Sequence, residues 1–313
     1  MSFTRRDFLT RSAAAAAVAA IGRPLFASPF QGQAAQPMFT PIRRNVGYFT
    51  MRGGTIGYLV NPGGIAVVDS QFPAEATACI TGLNERSGNR GVDLLINSHH
   101  HGDHTGGNIS FRGVAKKVVS HAKAAEHMKA PPGGQPPADQ LYPDTTFTDT
   151  WSVDLGDEKI TARHYGRAHT SGDIAITFER ANVVHMGDLM FNQRHPVVDG
   201  PAGATLRGWI TVLEAVPRAH SGDTTYIFGH ANTSLGAAGV VGSAADLAKF
   251  RDYISAVLAF VEAQHKAGKS KEEVLAMRDP LPGFEAWGRF GQANPRDILT
   301  IAHAEVTAKL THR

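Results

Sequence analysis

The chain has 313 residues, 42% of them hydrophobic, and a formal net charge of +3. That length and apolar content suit one sizeable domain with a large core. Lysines and arginines are scattered, and Lys116-Lys117 is the nearest thing to a basic patch after the N-terminus, so no nucleic-acid partner is expected.

The first residues carry Thr4-Arg5-Arg6-Asp7-Phe8-Leu9-Thr10 and then an alanine-dominated run over 12–21, a pattern that resembles a twin-arginine export signal. The run is too short and too weakly apolar for a permanent anchor. An amphipathic or anchoring helix is the alternative. Residues 1–34 are therefore read as export signal and spacer, with cleavage between Ala27 and Ala35, and residues 35–313 as the folded domain. The expected location is periplasmic or secreted, with the twin-arginine machinery as a partner and no stable membrane span after cleavage. The one cysteine, Cys79, excludes an internal disulfide and reads as a small buried hydrophobe.

Runs 55–60 and 65–69 flank the turn signal Asn61-Pro62-Gly63-Gly64 and predict a hairpin. A helix follows Pro73 over 74–86, then a buried strand over 92–97. A short helix is expected at 105–111, a strand at 117–120 and a helix at 121–129, with His121 and His127 exposed. The Pro/Gly-rich stretch 131–142 cannot be regular structure; it lies either at a site mouth or, as expected here, on an inert surface excursion. Strands at 147–153, 159–164, 173–178 and 183–186 predict a second sheet mirroring the first. Helices are expected near 206–216, 243–267, 271–277 and 295–311. In the second of these, Asp246, Leu247, Phe250, Ile254, Val257, Leu258 and Val261 recur at helical spacing and read as a core stripe.

The strand at 92–97 runs into Ser98-His99-His100-His101-Gly102-Asp103-His104-Thr105-Gly106-Gly107. In extended chain, residues two apart share a side, so His99 and His101 can grip one ion. Gly102 lets the backbone turn, which allows Asp103 and His104 to face a second. Three further candidates stand at ends of apolar runs: His169, Asp188 and His230. A nonspecific histidine tract would not need them. Thr170, Asp173 and His185 adjoin these residues, either as supports of the ligands or as ordinary strand and cap residues. Phe191, His195 and Trp209 are candidates for a substrate wall, with core packing the stronger alternative for Trp209.

This pattern resembles the metallo-β-lactamase superfamily, whose signature is a His-x-His-x-Asp-His run followed by a His, a bridging Asp or Cys, and a last His. The resemblance runs from about Ile42 to near Leu310. It implies an α/β fold of the αββα sandwich type, two mixed β-sheets with helices on the outer faces and metals at the sheet edges. It also implies two divalent metal ions: His99, His101 and His169 on the first, Asp103, His104 and His230 on the second, and Asp188 bridging them. Nitrogen and oxygen ligands suit zinc, the expected ion, and also iron or manganese. A water between two such ions, about 4 Å apart, is acidified and becomes the nucleophile, while Asp103 orients it or carries a proton to the leaving group.

A bridging Asp in place of Cys resembles glyoxalase II-type thioesterases, lactonases and exported hydrolases linked to quinoprotein systems. The implied activity is hydrolysis of a carboxylic ester, thioester, lactone or lactam in a small-molecule substrate. β-Lactamase as the main activity is one alternative. Another is a sulfur dioxygenase with one iron on His99, His169 and Asp188, and a third is a non-catalytic metal buffer.

Overall fold

The alternation of apolar side chains along the strands decides the layering. The computed structural model describes residues 36–131 and 134–311; the proposed export segment 1–34 lies outside them. Strands β1 (Met38–Arg43), β2 (Val46–Thr50), β3 (Ile56–Asn61) and β4 (Gly64–Val68) form an antiparallel meander. Helix α1 (Pro73–Ser87) then crosses over to β5 (Leu94–Asn97), which pairs parallel with β4. Strands β6 (Val118–His121) and β7 (Thr145–Phe147) extend the same sheet in parallel, giving seven strands in sequence order. A single turn of helix, α2 (Gly102–Thr105), and a 3₁₀ segment (Gly106–Phe111) lie between β5 and β6, and α3 (Ala122–Lys129) lies between β6 and β7.

The second sheet holds β8 (Thr150–Leu155), β9 (Glu158–Arg163), β10 (Ala175–Phe178) and β11 (Val183–His185). These four are antiparallel; β13 (Thr225–Ile227) adds parallel to β11, and β15 (Val241–Gly242) closes that edge. A two-stranded parallel ribbon, β12 (Phe191–Asn192) with β14 (His230–Ala231), lies apart from both sheets. Helices α4 (Leu206–Arg218), α5 (Ala244–Lys266), α6 (Lys271–Leu275) and α7 (Ile298–Thr311) complete the chain. Among the described residues no helix is long and apolar enough to cross a membrane.

Period-two alternation splits each strand between two cores. On β4, Ala66 and Val68 join Leu94 and Ile96 of β5 and Ile176, Phe178, Val183 and Ile227 of the facing sheet. Ile65 and Val67, from the opposite face of β4, pack with Ala76, Cys79 and Leu83 of α1. On the far side, Ala175, Val184 and Tyr226 meet Trp209 and Leu213 of α4 and Phe250 and Tyr253 of α5. The result is the expected αββα sandwich.

The hairpin, α1 and the helices after residue 200 fall close to their expected bounds, and Leu247, Phe250, Ile254, Val257, Leu258 and Val261 are buried in the core; Asp246 is not part of that stripe but caps α5 with Ser243. Three further local expectations are corrected. The stretch read as one strand over 147–153 is two: β7 pairs with β6 in the first sheet, and β8 pairs with β9 in the second. The chain changes sheets at Thr148 and Asp149, where the Thr148 carbonyl accepts from the His121 ring and the Asp149 carbonyl from the His164 amide. His121 is buried rather than exposed; it caps α3 and stacks on His164 with ring centroids 4.2 Å apart. His127 is half-buried, its Nε2 3.0 Å from the Ser171 hydroxyl.

Cys79 is fully buried on α1, and burial pushes its thiol pKa well up. It should therefore resist a thiol reagent in the native protein and react once per chain after denaturation. Cys79→Ala should cost about 1 kcal/mol of stability and leave activity near that of the parent. Native-state labelling at the rate of a free thiol would show that α1 does not pack as described.

Candidate metal centre

All seven candidate ligands converge at one end of the sandwich. His99 follows the end of β5, and His101 caps α2, which carries Asp103 and His104. His169 sits in the loop between β9 and β10, Asp188 in the 3₁₀ turn after β11 (Gly187–Leu189), and His230 at the start of β14. Because β11 and β13 are parallel, both release their following ligand at the same sheet edge. Pairing of β12 with β14 sets Phe191 opposite His230, their rings stacked with centroids 5.3 Å apart.

Two groups of donor atoms result: His99, His101, His169 and Asp188 in one, Asp103, His104 and His230 in the other. The Asp188 carboxylate lies between them. Its Oδ2 is 3.8 Å from His99 Nε2 and 3.4 Å from His169 Nε2. Its Oδ1 is 2.9 Å from His104 Nε2 and 3.4 Å from His230 Nε2. Asp103 Oδ2 approaches His230 Nε2 at 3.0 Å.

Each histidine turns one ring nitrogen inward while its surroundings hold the other. Ser98 Oγ lies 3.0 Å from His99 Nδ1 and donates to Asp69. Asp69 Oδ2 is 2.7 Å from His104 Nδ1, and its Oδ1 accepts from the Ser98 amide. His169 Nδ1 donates to the Val197 carbonyl at 2.7 Å. His101 is reversed: Nδ1 faces His169 Nε2 at 2.9 Å, while Nε2 contacts Asp199 at 2.8 Å. Asp199 is in turn ion-paired with Arg296.

Electrostatics separate the two groups. Burial holds His99 well below the usual imidazole range and His169 at about 3, so both are neutral donors. Burial would also lower His104, but the Asp188 and Asp69 carboxylates outweigh it and hold His104 well above that range. For Asp188 burial alone would raise the pKa; His230, His104 and His99 overcome it and keep the carboxylate ionised.

The donor set fits a pair of divalent ions. His99 Nε2 is buried and makes no hydrogen bond, an arrangement that costs free energy unless a cation faces it. Five imidazoles and two carboxylates are the ligands of a site that keeps a position for water. The arrangement leaves no room for extra atoms: a Cβ on Gly54 would lie 2.1 Å from the His104 ring, and one on Gly229 would lie 2.2 Å from Asp188 Oδ1.

The ligands form one end of a cavity of about 340 Å³, a size suited to a small molecule. Phe191 and His195 line it as expected, together with Arg194, Val197 and Arg296. Trp209 does not. It is fully buried behind His169 and donates to the Leu189 carbonyl, as core packing predicts. Pro131, Gln135, Pro137 and Gln140 border the cavity, which corrects the reading of 131–142 as an inert excursion. Gln140 fixes that loop by donating to the Thr105 carbonyl just after the ligand turn.

Thr170 and Asp173 support the ligands: the Thr170 amide and hydroxyl both donate to the Asp173 carboxylate and shape the His169 loop. His185 accepts from the Gly187 amide beside Asp188, its other nitrogen on the Thr55 carbonyl. Asp199 and Arg296 were not legible. They lie far along the chain from His101 and stand in no motif.

A family model described as Metallo-beta-lactamase superfamily matches residues 50–283. The chain belongs to the metallo-beta-lactamase superfamily. It is 27% identical over 195 residues to the alpha subunit of a 2,4-dinitroanisole O-demethylase from Nocardioides sp., covering 58% of this chain and 56% of the relative. It is 30% identical over 135 residues to hydroxyacylglutathione hydrolase from Methylococcus capsulatus, covering 43% and 47%. The chain thus spans about half the length of these curated relatives. A metallo-beta-lactamase from Pontibacter korlensis superposes with a TM-score of 0.56 at 17% identity, covering 70% of this chain and 99% of that one, a likeness of fold. Both αββα layering and clustered ligands accord with membership of the superfamily.

Gly229→Ala tests the packing around Asp188. Zinc affinity measured by calorimetry should fall by at least about tenfold, with far-ultraviolet circular dichroism unchanged. Parental affinity would show that the carboxylate can shift without consequence.

Proposed function

We propose that the protein is a binuclear metal-dependent hydrolase that cleaves a carboxylic ester, thioester, lactone or lactam. The observation that carries this reading is the Asp188 carboxylate, one oxygen toward His99 and His169 and the other toward His104 and His230. His99, His101 and His169 would hold one ion, Asp103, His104 and His230 the other, and Asp188 both. When bound, such ions polarise a carbonyl and acidify water toward neutral pKa.

The chain's own groups do the rest. Asp103 reaches the cavity with its side chain 32% exposed, while its Oδ2 stays on His230, so it can orient a water and hold a proton for the leaving group. Val197 and Phe191 give the cavity an apolar wall, which limits the water reaching a bound acyl group. The iron dioxygenase alternative uses only His99, His169 and Asp188; it leaves the compact trio of Asp103, His104 and His230 without a role. Zinc is the proposed ion. Export by the twin-arginine route is part of the same proposal and rests on Arg5-Arg6 and the alanine-rich run after them.

Metal analysis of the purified protein, followed by a panel of esters, thioesters, lactones and lactams, tests the reading. Two ions per chain and turnover of at least one class are expected; one iron per chain with persulfide oxidation would replace it. Asp188→Ala should bind at most one ion and lose turnover while keeping the parental circular dichroism. Metal uptake should also release a proton near neutral pH. His104 lies well above its ordinary pKa in the metal-free protein, so it is protonated there and must lose that proton to offer Nε2. Affinity at its trio should therefore fall as pH falls. Calorimetry in buffers of different ionisation enthalpy measures this; zero net release would contradict a charged His104.

A further inference from the structure

His101 differs from the other ligands in what its outer nitrogen meets. Ser98 lies beside His99, Asp69 beside His104 and the Val197 carbonyl beside His169. His101 instead turns Nε2 to a carboxylate that is itself paired with an arginine. With Nδ1 directed into the cluster, the ring proton sits on Nε2. That N–H donates to Asp199 Oδ2 at 2.8 Å, and the Arg296 guanidinium donates to the same oxygen. The 3.2 Å between Arg296 NH2 and His101 Nε2 is the spacing of two donors that share one acceptor.

Backbone bonds fix this arrangement independently of the Arg296 side chain. Asp199 lies on the loop between β12 and α4, and Arg296 in the segment that leads into α7. The Val198 amide donates to the Arg296 carbonyl, and the Asp199 amide donates to the His169 carbonyl. The loop that carries Asp199 thus serves both His101 and His169.

The charges in the chain of contacts are unequally placed. The Asp199 side chain is 1% exposed and that of Arg296 is 47% exposed, so an enclosed carboxylate meets a counter-charge that water reaches. Its other oxygen accepts only from the Ala202 amide, at 3.3 Å, and His100 Nε2 stays 3.7 Å from Oδ2, beyond hydrogen-bond reach. Among the described residues Arg296 is the one arginine or lysine paired with Asp199, whereas Asp69, facing His104, has none. A carboxylate on the outer N–H of a ligating imidazole draws on its proton and makes the inner nitrogen a stronger donor. A guanidinium on the same oxygen withdraws part of that charge.

We propose that Arg296 is a positioning residue that sets the grip of the first ligand group. Acting through Asp199, it keeps His101 a weaker donor than the carboxylate alone would make it. An ion held by His99, His101, His169 and Asp188 then retains more of its positive charge for polarising a carbonyl. The second half of this rests on the hydrolase reading of the same site; the first half concerns metal affinity alone.

Zinc affinity, measured by competition with a chromophoric chelator, tests it in the parent, Arg296→Gln, Arg296→Lys, Asp199→Asn and a control, Arg180→Gln. Arg180 is an exposed residue of the turn between β10 and β11. His101→Ala marks which binding step belongs to the first group. Glutamine keeps an N–H for Asp199 without the charge, and lysine keeps the charge. Arg296→Gln is expected to tighten the first ion by about tenfold, a modest figure because water screens the half-exposed guanidinium. Arg296→Lys and Arg180→Gln should match the parent, and Asp199→Asn should loosen the ion by about tenfold or more. Arg296→Ala carries the same expectation as Arg296→Gln and guards against a fault peculiar to the glutamine. A merely structural arginine would give the opposite sign: zinc loosened as in Asp199→Asn, or left unchanged, overturns the proposal. At full zinc loading, turnover of whichever ester, thioester, lactone or lactam the parent cleaves should fall in Arg296→Gln although the metal is held more tightly. Undiminished turnover there would strike the effect on polarisation. Zinc tightened by Arg296→Gln in a protein that cleaves none of those substrates would uphold the role of Arg296 at the metal and sink the hydrolase reading. Turnover by the parent with a zinc affinity indifferent to Arg296 would do the reverse.

Discussion

A carboxylate buried to 4% exposure, with four imidazole nitrogens around it and, among the described residues, no lysine or arginine paired to it, is the constraint around which this end of the molecule is built. Removing such a charge from water is expensive unless cations or strong donors face it. Asp188 is affordable there because histidines converge on it from two sides. The position of each histidine follows from that need. His99 and His104 follow β5, His169 precedes β10 and His230 opens β14, and a difference of an ångström at any of them would leave the carboxylate or a ring nitrogen unmatched.

The two-sheet scaffold supplies that precision. Strands β5, β11 and β13 are locked by neighbours on both sides, and their following turns inherit little freedom. Supporting bonds then fix the rings. Asp69 holds His104 and, through Ser98, His99; the Val197 carbonyl holds His169; Asp199 holds His101. Asp69 adopts a left-handed backbone, φ 65°, which a non-glycine residue takes at a cost. The surrounding bonds from Ser98 and His104 offset it. Strain is thus placed where it aims a carboxylate at two residues of the ligand turn.

The same geometry divides the cavity by charge. On the His101 flank an arginine is neutralised by the aspartate that orients the ligand; on the His230 flank Arg194 has no carboxylate partner among the described residues and meets the His230 ring instead. Pro131, Gln135, Pro137 and Gln140 border the same cavity. The segment that carries them forms no ladder or helix of its own, so its path is set by contacts such as Gln140 on Thr105, which bring it over the ligand turn.

Much of this was legible in the residues themselves. The run from His99 to His104 placed four ligands within six positions, and His169, Asp188 and His230 each stood at the end of an apolar run that a strand would bury. The helical stripe from Leu247 to Val261 fixed which face of α5 meets a core, because burial of apolar surface there follows the local period. Tertiary structure alone decided the rest. Nothing local distinguishes Asp199 from a surface aspartate, or tells Arg296 from Arg194; the roles of Asp199 and Arg296 depend on partners nearly a hundred or more positions away. The break between β7 and β8 was hidden for the same reason, since a strand's sheet is chosen by its neighbours and its own sequence carries only the tendency to extend.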